Sequence, residues 1–306
     1  METEVNGRER YQWLPQDCPI CQAAPTKRLG RRGGLAHRAN LGVECEIWRC
    51  QRCGLIFPNP MPVPVVGLTE HYEVDPDDYF KEHQIDDRES SAAGLLAQAE
   101  QITGGQGRLL DIGCGRGELL KMARSLGWNV TGIEPSASFA RFAESRTGAE
   151  IRREPVEQCG FEAGSFDCVV LAAVLEHLYN PNDTIAEVSR ILRRGGALFV
   201  DVPNERALYF QVGNLYQKLR GRDWVVNLAP TFSPFHVFGF SPHSLRALLE
   251  KYGLRPEYFR VYPGRAMVPP RPGIVGELER LAANVVTSLS KLGRLGTYIE
   301  TWAVKA

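Results

Sequence analysis

The sequence predicts an α/β fold, a doubly wound sheet of seven strands, with a small cysteine-bearing head in front of it. Three observations predict this. Residues 108–126, RLLDIGCGRGELLKMARSL, read as a short apolar strand, a glycine turn and a helix. Behind them, β-branched apolar runs alternate with segments of helical periodicity to the C-terminus, the pattern of a parallel sheet covered on both faces. Ahead of them, Cys18-Pro-Ile-Cys21 and Cys50-Gln-Arg-Cys53 form two C-x-x-C pairs separated by 28 residues.

The 306 residues suit a head at 1–60, a linker and helix at 61–104, and one main domain at 105–306. Lys plus Arg (36) balance Asp plus Glu (36), which argues against a chain whose main task is sequence-independent nucleic-acid binding. No apolar run approaches the roughly 18–20 residues that span a bilayer. The start, METEVNGRERYQW, lacks the apolar core of a signal peptide. A cytoplasmic location is therefore expected, with the eight cysteines as thiols or metal ligands.

In the head, Cys18, Cys21, Cys50 and Cys53 can supply four thiolates to one tetrahedral structural zinc, and Gly54 lets the backbone turn under it. Zinc contributes on the order of 10 kcal/mol to small domains of this kind, enough to fold a segment with little core. Cys45 reads as a small half-buried strand residue. TKRLGRRGGLAHR, with Lys27, Arg28, Arg31, Arg32, His37 and Arg38, is either a patch for phosphate groups or a solvated excursion. From Leu55 to Tyr79 five prolines exclude a long helix and indicate an extended linker. Asp86 to Ile102 is predicted as a helix on the domain's edge. Tyr72, Tyr79 and Phe80 either cover a ligand or pack.

Leu109, Leu110 and Ile112 form the first strand of the main domain. Gly113, Gly115 and Gly117 follow where the backbone must turn and admit a ligand to its N–H groups, before a helix from Glu118 to Leu126. The second strand, NVTGI, ends at Glu134, 21 positions past Gly113, where a carboxylate can accept both hydroxyls of a ribose. Ser136 caps the next helix, Gly148 ends it, and Phe139, Phe142 and Ala143 are its expected core residues. Ala149–Arg152 is the third strand, followed by the turn REPVEQ. Cys168–Leu171 is a fourth strand, apolar enough to be buried on both faces. A helix bearing Ile185, Val188, Ile191 and Leu192 is expected to end in RRGG, with basic residues opposing its negative end. ALFVDVPN is the fifth strand.

Residues 205–240 are unusually aromatic and read as either a substrate wall or lid, or a second small core. Ser241-Pro242 starts a helix that stops at Gly253. Tyr258–Tyr262 and Thr297–Val304 are the last strands. A helix inserted between them, Ile274 to Leu292, carries Ile274, Leu278, Leu281, Val285, Leu289 and Leu292 on one stripe. Packing on the domain is the expected use of that stripe, with a homodimer seam or a membrane surface as alternatives.

DIGCGRG resembles motif I of the class I S-adenosylmethionine-dependent methyltransferases. FDCVV followed by VLEHL, and HVFGFSPHSLRALLEKYGL, resemble the small-molecule subgroup that includes the ubiquinone-biosynthesis enzymes, over about residues 105–260. C-x-x-C-G with the aliphatic-aromatic stretch after it resembles the start of bacterial methyltransferases that carry a zinc-ribbon head. The resemblance implies a seven-stranded Rossmann-like methyltransferase sheet and an S-adenosylmethionine site built from Asp111, Gly113, Gly115, Gly117, Glu134, Glu154, Val156 and Leu171. Glu154 and Val156 fall where the family contacts adenine. The expected reaction is methyl transfer to a small-molecule acceptor such as a sugar or another secondary-metabolite or glycan precursor. The alternative is a zinc-ribbon nucleic-acid-binding protein or RNA methyltransferase, although no N-P-P-Y-type motif is present. If the acceptor is a hydroxyl, His177 and His236 are the candidate bases, imidazole having a free pKa near 6.5. No carboxylate cluster suggests a catalytic divalent metal.

Overall fold

The computed structural model describes residues 7–24, 27–66, 88–264, 273–290 and 295–306. Tyr72, Tyr79, Phe80 and Leu292 lie outside the described residues, as does much of the linker. The head contains β1 (Tyr11–Leu14), β2 (Lys27–Arg32), β3 (Cys45–Arg49), β4 (Ile56–Pro58) and β5 (Met61–Pro64). The order β2-β3-β4 makes one antiparallel sheet, and β1 pairs with β5 in a second. Residues up to Pro64 thus share strand pairing with the head.

The main domain alternates α1 (Arg88–Thr103), β6 (Arg108–Ile112), α2 (Glu118–Ser125), β7 (Asn129–Ile133), α3 (Ala137–Thr147), β8 (Glu150–Arg152), β9 (Phe166–Ala172), α4 (Pro181–Ile191) and β10 (Leu192–Pro203). After these come α5 (Leu208–Leu219), α6 (Pro242–Lys251), β11 (Leu254–Tyr262), α7 (Ile274–Ser290) and β12 (Tyr298–Lys305). Seven strands join in the order β11-β12-β10-β9-β6-β7-β8, with β12 antiparallel to both its neighbours. From β6 the chain runs outward through β7 to β8, then returns to β9 on the other side of β6. That reversal opens a crevice at the carboxyl ends of β6 and β9, where doubly wound sheets bind ligands.

Strand alternation divides the interior in two. Leu110, Val169, Leu171, Leu198 and Val200 face α4 and α6, whereas Leu109, Cys168, Val170, Ala197 and Phe199 face the side of α1, α2 and α3. The capping signals hold: Ser136 Oγ accepts the Phe139 N–H at 3.3 Å, and Ser241 closes a capping box with Ser244.

Three expectations are corrected. RRGG does not end α4: Leu192 already begins β10, and a register shift between Leu192 and Ala197, with Gly195 at φ 71°, bulges the strand. Arg193 is spent on Asp167 (Nε to Oδ1, 2.5 Å) and on the Thr103 carbonyl (2.9 Å) rather than on the helix end. Phe142 is exposed, its ring covered by the Arg116 guanidinium at 4.8 Å instead of by the core. The stripe on α7 does not pack on the domain. Ile274, Leu278, Leu281, Val285 and Leu289 are each half exposed or more, because the helix turns its small residues Gly276, Ala283 and Ser290 inward.

The aromatic stretch proves to be a core shared with the head. Val225 and Leu228 pack with Cys45, Ile47 and Ile56, and Val237, Phe238 and Phe240 join the cluster that holds Cys18, Cys50 and Cys53. Backbone pairing seals the seam: Ile56 N–H donates to the Gly239 carbonyl at 2.9 Å, and Gly239 N–H returns to Ile56 at 2.7 Å. Arg31 exchanges bonds of 2.9 and 3.0 Å with the backbone of Asp223 and Val225.

Candidate active site

The glycine loop sits at the end of β6 with Gly113, Gly115 and Gly117 at φ 73°, 54° and 76°, a region that favours glycine. A Cβ on Gly113 would lie 2.5 Å from Val174 Cγ2, and one on Gly117 would lie 2.8 Å from Thr147 Cγ2. At Gly115 nothing lies within 4 Å, so the loop's tip faces open space. The loop is tied to β7: the Gly113 and Cys114 N–H groups both donate to the Ile133 carbonyl, at 2.7 and 3.0 Å.

Glu134, at the end of β7, is buried and accepts the Gly115 N–H at 2.9 Å through Oε2 and the Ser136 N–H at 3.0 Å through Oε1. A buried acid beside an open glycine tip, with the N-terminus of α2 behind it, is a fitting cradle for an adenosyl group bearing a cationic sulfur: the carboxylate for the ribose diol, the loop's N–H groups and the acidic Asp111 around it. Asp111 is buried at this strand end. Val156 is buried and opens a short 3-10 turn, whereas Glu154 is exposed, with the Arg153 N–H donating to its carboxylate at 3.2 Å. The Leu171 side chain is fully buried in the core below the crevice. The exposed residue at that strand end is Ala172, followed by Ala173 at φ 56°.

His177 and His236, 59 positions apart in sequence, meet edge-to-face with ring centroids 4.8 Å apart. Their Nε2 atoms are each 3.9 Å from Glu176 Oε1. Glu176 is buried, and its Oε2 has no hydrogen-bond partner among the described residues. Its carbonyl accepts the Val237 and Phe238 N–H groups at 2.9 and 3.1 Å, which docks the aromatic loop onto the VLEHL turn. Burial pushes the Glu176 carboxyl up to about 8 and the His177 imidazole down to about 4. Burial, then the neighbouring His177, holds His236 well below its usual value. At neutral pH the acid is protonated and both imidazoles are neutral, the state in which a histidine can take a proton. One ligand atom from each of the three lies within 4.8 Å of the others, so the set is also close enough to share a cation.

Two further carboxyl groups act on Glu176, neither of them within metal-sharing reach of it among the described residues. Burial raises Asp201 to about 7 while the Tyr262 hydroxyl donates to its two oxygens at 3.2 and 3.1 Å. Burial raises Glu205 to about 7, with Asn227 Nδ2 donating to Oε2 at 2.7 Å. The charges of both act on Glu176. Acids and bases shifted by burial and gathered in one place are the kind of grouping that functional sites use. An aspartate inside the apolar run ALFVDVPN was a sequence signal for the first of them; Glu205 carried none.

In the head, Cys18 Sγ lies 3.4 Å from Cys53 Sγ, Cys21 Sγ lies 3.4 Å from Cys50 Sγ, and all four sulfurs fall within 4.8 Å of one another. Tetrahedral zinc at about 2.3 Å from each sulfur needs separations of about 3.8 Å, which this cage accommodates.

Comparison with known proteins identifies the family. The model of the methyltransferase domain family matches residues 83–258. The chain is 31% identical over 159 residues to a ubiquinone biosynthesis O-methyltransferase of Bordetella avium (strain 197N), covering 50% of this chain and 64% of that protein. To the protein of the same name from Dechloromonas aromatica (strain RCB) it is 27% identical over 197 residues, covering 62% and 81%. The alignments with several of these relatives thus span less than two thirds of their length. In fold, the chain is similar to a SAM dependent methyltransferase from Archaeoglobus fulgidus, with a TM-score of 0.52 at 20% identity over 76% of this chain and 100% of that one.

Proposed function

With more than half of its length matched, the chain belongs to the methyltransferase domain family, and on that premise we propose that it is an S-adenosylmethionine-dependent methyltransferase acting on a small-molecule acceptor such as a sugar or other secondary-metabolite or glycan precursor. The observation that carries the reading is Glu134 seated on the open glycine loop, with the His177–His236 pair standing beyond the end of β9, the strand beside β6. The relatives named for O-methylation support a hydroxyl acceptor.

Bound S-adenosylmethionine supplies an electrophilic methyl group on a sulfonium. The chain's own residues would hold and orient it: Glu134 would accept from the ribose hydroxyls and the glycine loop would take the methionine end, so that binding brings donor and acceptor together. His177 or His236 takes the acceptor's proton as its oxygen gains the methyl. Replacing both histidines by alanine is expected to lower kcat by roughly 10²–10⁴-fold, and the two single variants show which of them is the base. Cofactor affinity, measured calorimetrically, should stay as it was. Because His177 titrates only near 4, kcat should hold level from pH 7 down to pH 5 rather than halve near the free imidazole value; a halving near 6.5 would remove these residues from the role.

A structural zinc on Cys18, Cys21, Cys50 and Cys53 belongs to this reading, and with it a reducing, cytoplasmic setting that keeps the thiols available. A second copy of the chain seated on the exposed stripe of α7 is the proposed protein partner. Sedimentation equilibrium should give a dimer that Leu278→Glu with Leu281→Glu converts to monomer, and a monomeric unmutated protein would end that proposal. Nucleic-acid binding is the weaker reading, since Arg28, Arg31 and Arg38 are already held in ion pairs. Mass spectrometry of metabolite extracts incubated with labelled methyl donor tests the reading directly. Absence of label in every small-molecule fraction, with no calorimetric binding of donor, would end it.

A further inference from the structure

The basic run between the two cysteine pairs is largely neutralised within the protein. Arg28 donates to both oxygens of Asp223 at 2.9 and 2.6 Å and to Glu46 at 2.9 Å. Arg31 lies 3.1 Å from Glu44 and 3.4 Å from Asp223, and Arg38 lies 2.6 Å from Glu279. Arg32 differs. Its Nε donates to the Leu228 carbonyl at 3.0 Å and its guanidinium lies over the Phe232 ring at 5.1 Å. Among the described residues no carboxylate comes within ion-pair distance of it, and its two terminal nitrogens have no acceptor.

A guanidinium cannot shed its charge, and burial disfavours that of Arg32, so an anionic ligand on its terminal nitrogens would stabilise it. Glu205 acts on it through space, but that carboxyl is hydrogen-bonded by Asn227 and makes no ion pair with Arg32. The surroundings favour an anion: Arg38 and His37 stand close, and the His37 ring packs on Phe232 with centroids 4.7 Å apart. The position also connects to the chemistry. Leu228, which anchors Arg32, leads into Ala229, whose N–H donates to the His236 carbonyl at 3.3 Å. Leu228 and Phe235, at φ 62° and 60°, hold the left-handed region at the two ends of this loop. Backbone strain of this kind at non-glycine residues gathers where a ligand is clamped.

We propose that Arg32 is an anion subsite of the acceptor pocket, its two free Nη groups receiving the paired oxygens of a carboxylate or phosphate carried by the methyl acceptor. The fork of donors in guanidinium suits such a pair of oxygens. The inference rests on the methyltransferase reading and narrows its acceptors to those with an oxyanion beside the methylated group.

The test uses the full chain loaded with zinc and S-adenosylhomocysteine, titrated separately with inorganic phosphate and with acetate. The arginine side-chain Nε–H resonance that disappears in Arg32→Lys should move on titration, and Arg32→Gln should weaken binding at least tenfold. Arg28→Gln should bind as the unmutated protein does, because Arg28 is already paired. A response to phosphate alone assigns a phosphorylated acceptor, to acetate alone a carboxylated one, and to both the shared oxyanion chemistry. A stationary Arg32 resonance, or equal anion binding by Arg32→Gln, overturns the proposal. The resonance is read on the unmutated protein, so it holds even if a variant folds poorly. Failure of S-adenosylhomocysteine to bind would count against the methyltransferase reading instead.

Discussion

Glu134→Ala is expected to weaken binding of S-adenosylmethionine about 100-fold or more. A hydrogen bond to a charged group contributes roughly 1.5–3 kcal/mol, and a ribose offers two hydroxyls to one carboxylate. The loss is therefore about 3 kcal/mol or greater, at 1.4 kcal/mol per tenfold. The same carboxylate also receives the half-buried Gly115 N–H and the buried Ser136 N–H, so the substitution removes the acceptor of both and loosens the loop. Glu134→Gln separates the two effects, since it retains an acceptor for one N–H but loses the charge, and should fall between alanine and the unmutated protein. Calorimetric titration with the donor, beside a thermal melt showing that the variant is folded, checks the result. A folded Glu134→Ala that binds the donor as before would remove the carboxylate from the site.

Zinc removal is expected to abolish methyl transfer while leaving donor binding within a few-fold of its original value. Metal binding by a four-thiolate site is on the order of 10 kcal/mol, comparable to the whole stability of a domain. The Cys50–Cys53 turn lies in one core with Val237, Phe238 and Phe240, and β4 is hydrogen-bonded to Gly239, three residues past His236. Loss of the metal therefore reaches the loop that carries one of the paired histidines. The loop around Glu134 draws its hydrogen bonds from residues 113–152 instead. Metal analysis should find one zinc per chain, and chelation or Cys50→Ser should lower the thermal midpoint together with turnover. Full turnover in zinc-free, folded protein would show that the head does not shape the acceptor site.

Much of the fold was legible because it depends on local chemistry. Strand periodicity, the three glycines at positive φ, the Ser136 cap and the Ser241 capping box each act over a few residues, and the structure repeats them almost to the residue. Phe142 was not legible, because an aromatic near the apolar face of a helix looks the same in sequence whether the core or an arginine covers it. Nor was the path of RRGG, because a left-handed glycine permits a bulged strand as readily as a helix end. The direction of the α7 stripe is not in the sequence either, because apolar periodicity marks a face without saying what lies opposite.

By itself the sequence determined the doubly wound sheet, the glycine loop with its acidic partner at Glu134, and four cysteines spaced for one metal. Those are properties of short segments and of their order along the chain. Only the tertiary structure decided that Glu176, His177 and His236 form one cluster around a buried acid, that Asp201 and Glu205 bear on it, and that the head and residues 220–240 share a core. Such groupings depend on which side chains meet across long stretches of chain and on how far burial shifts their protons. Neither is encoded in the spacing of residues along one strand or helix.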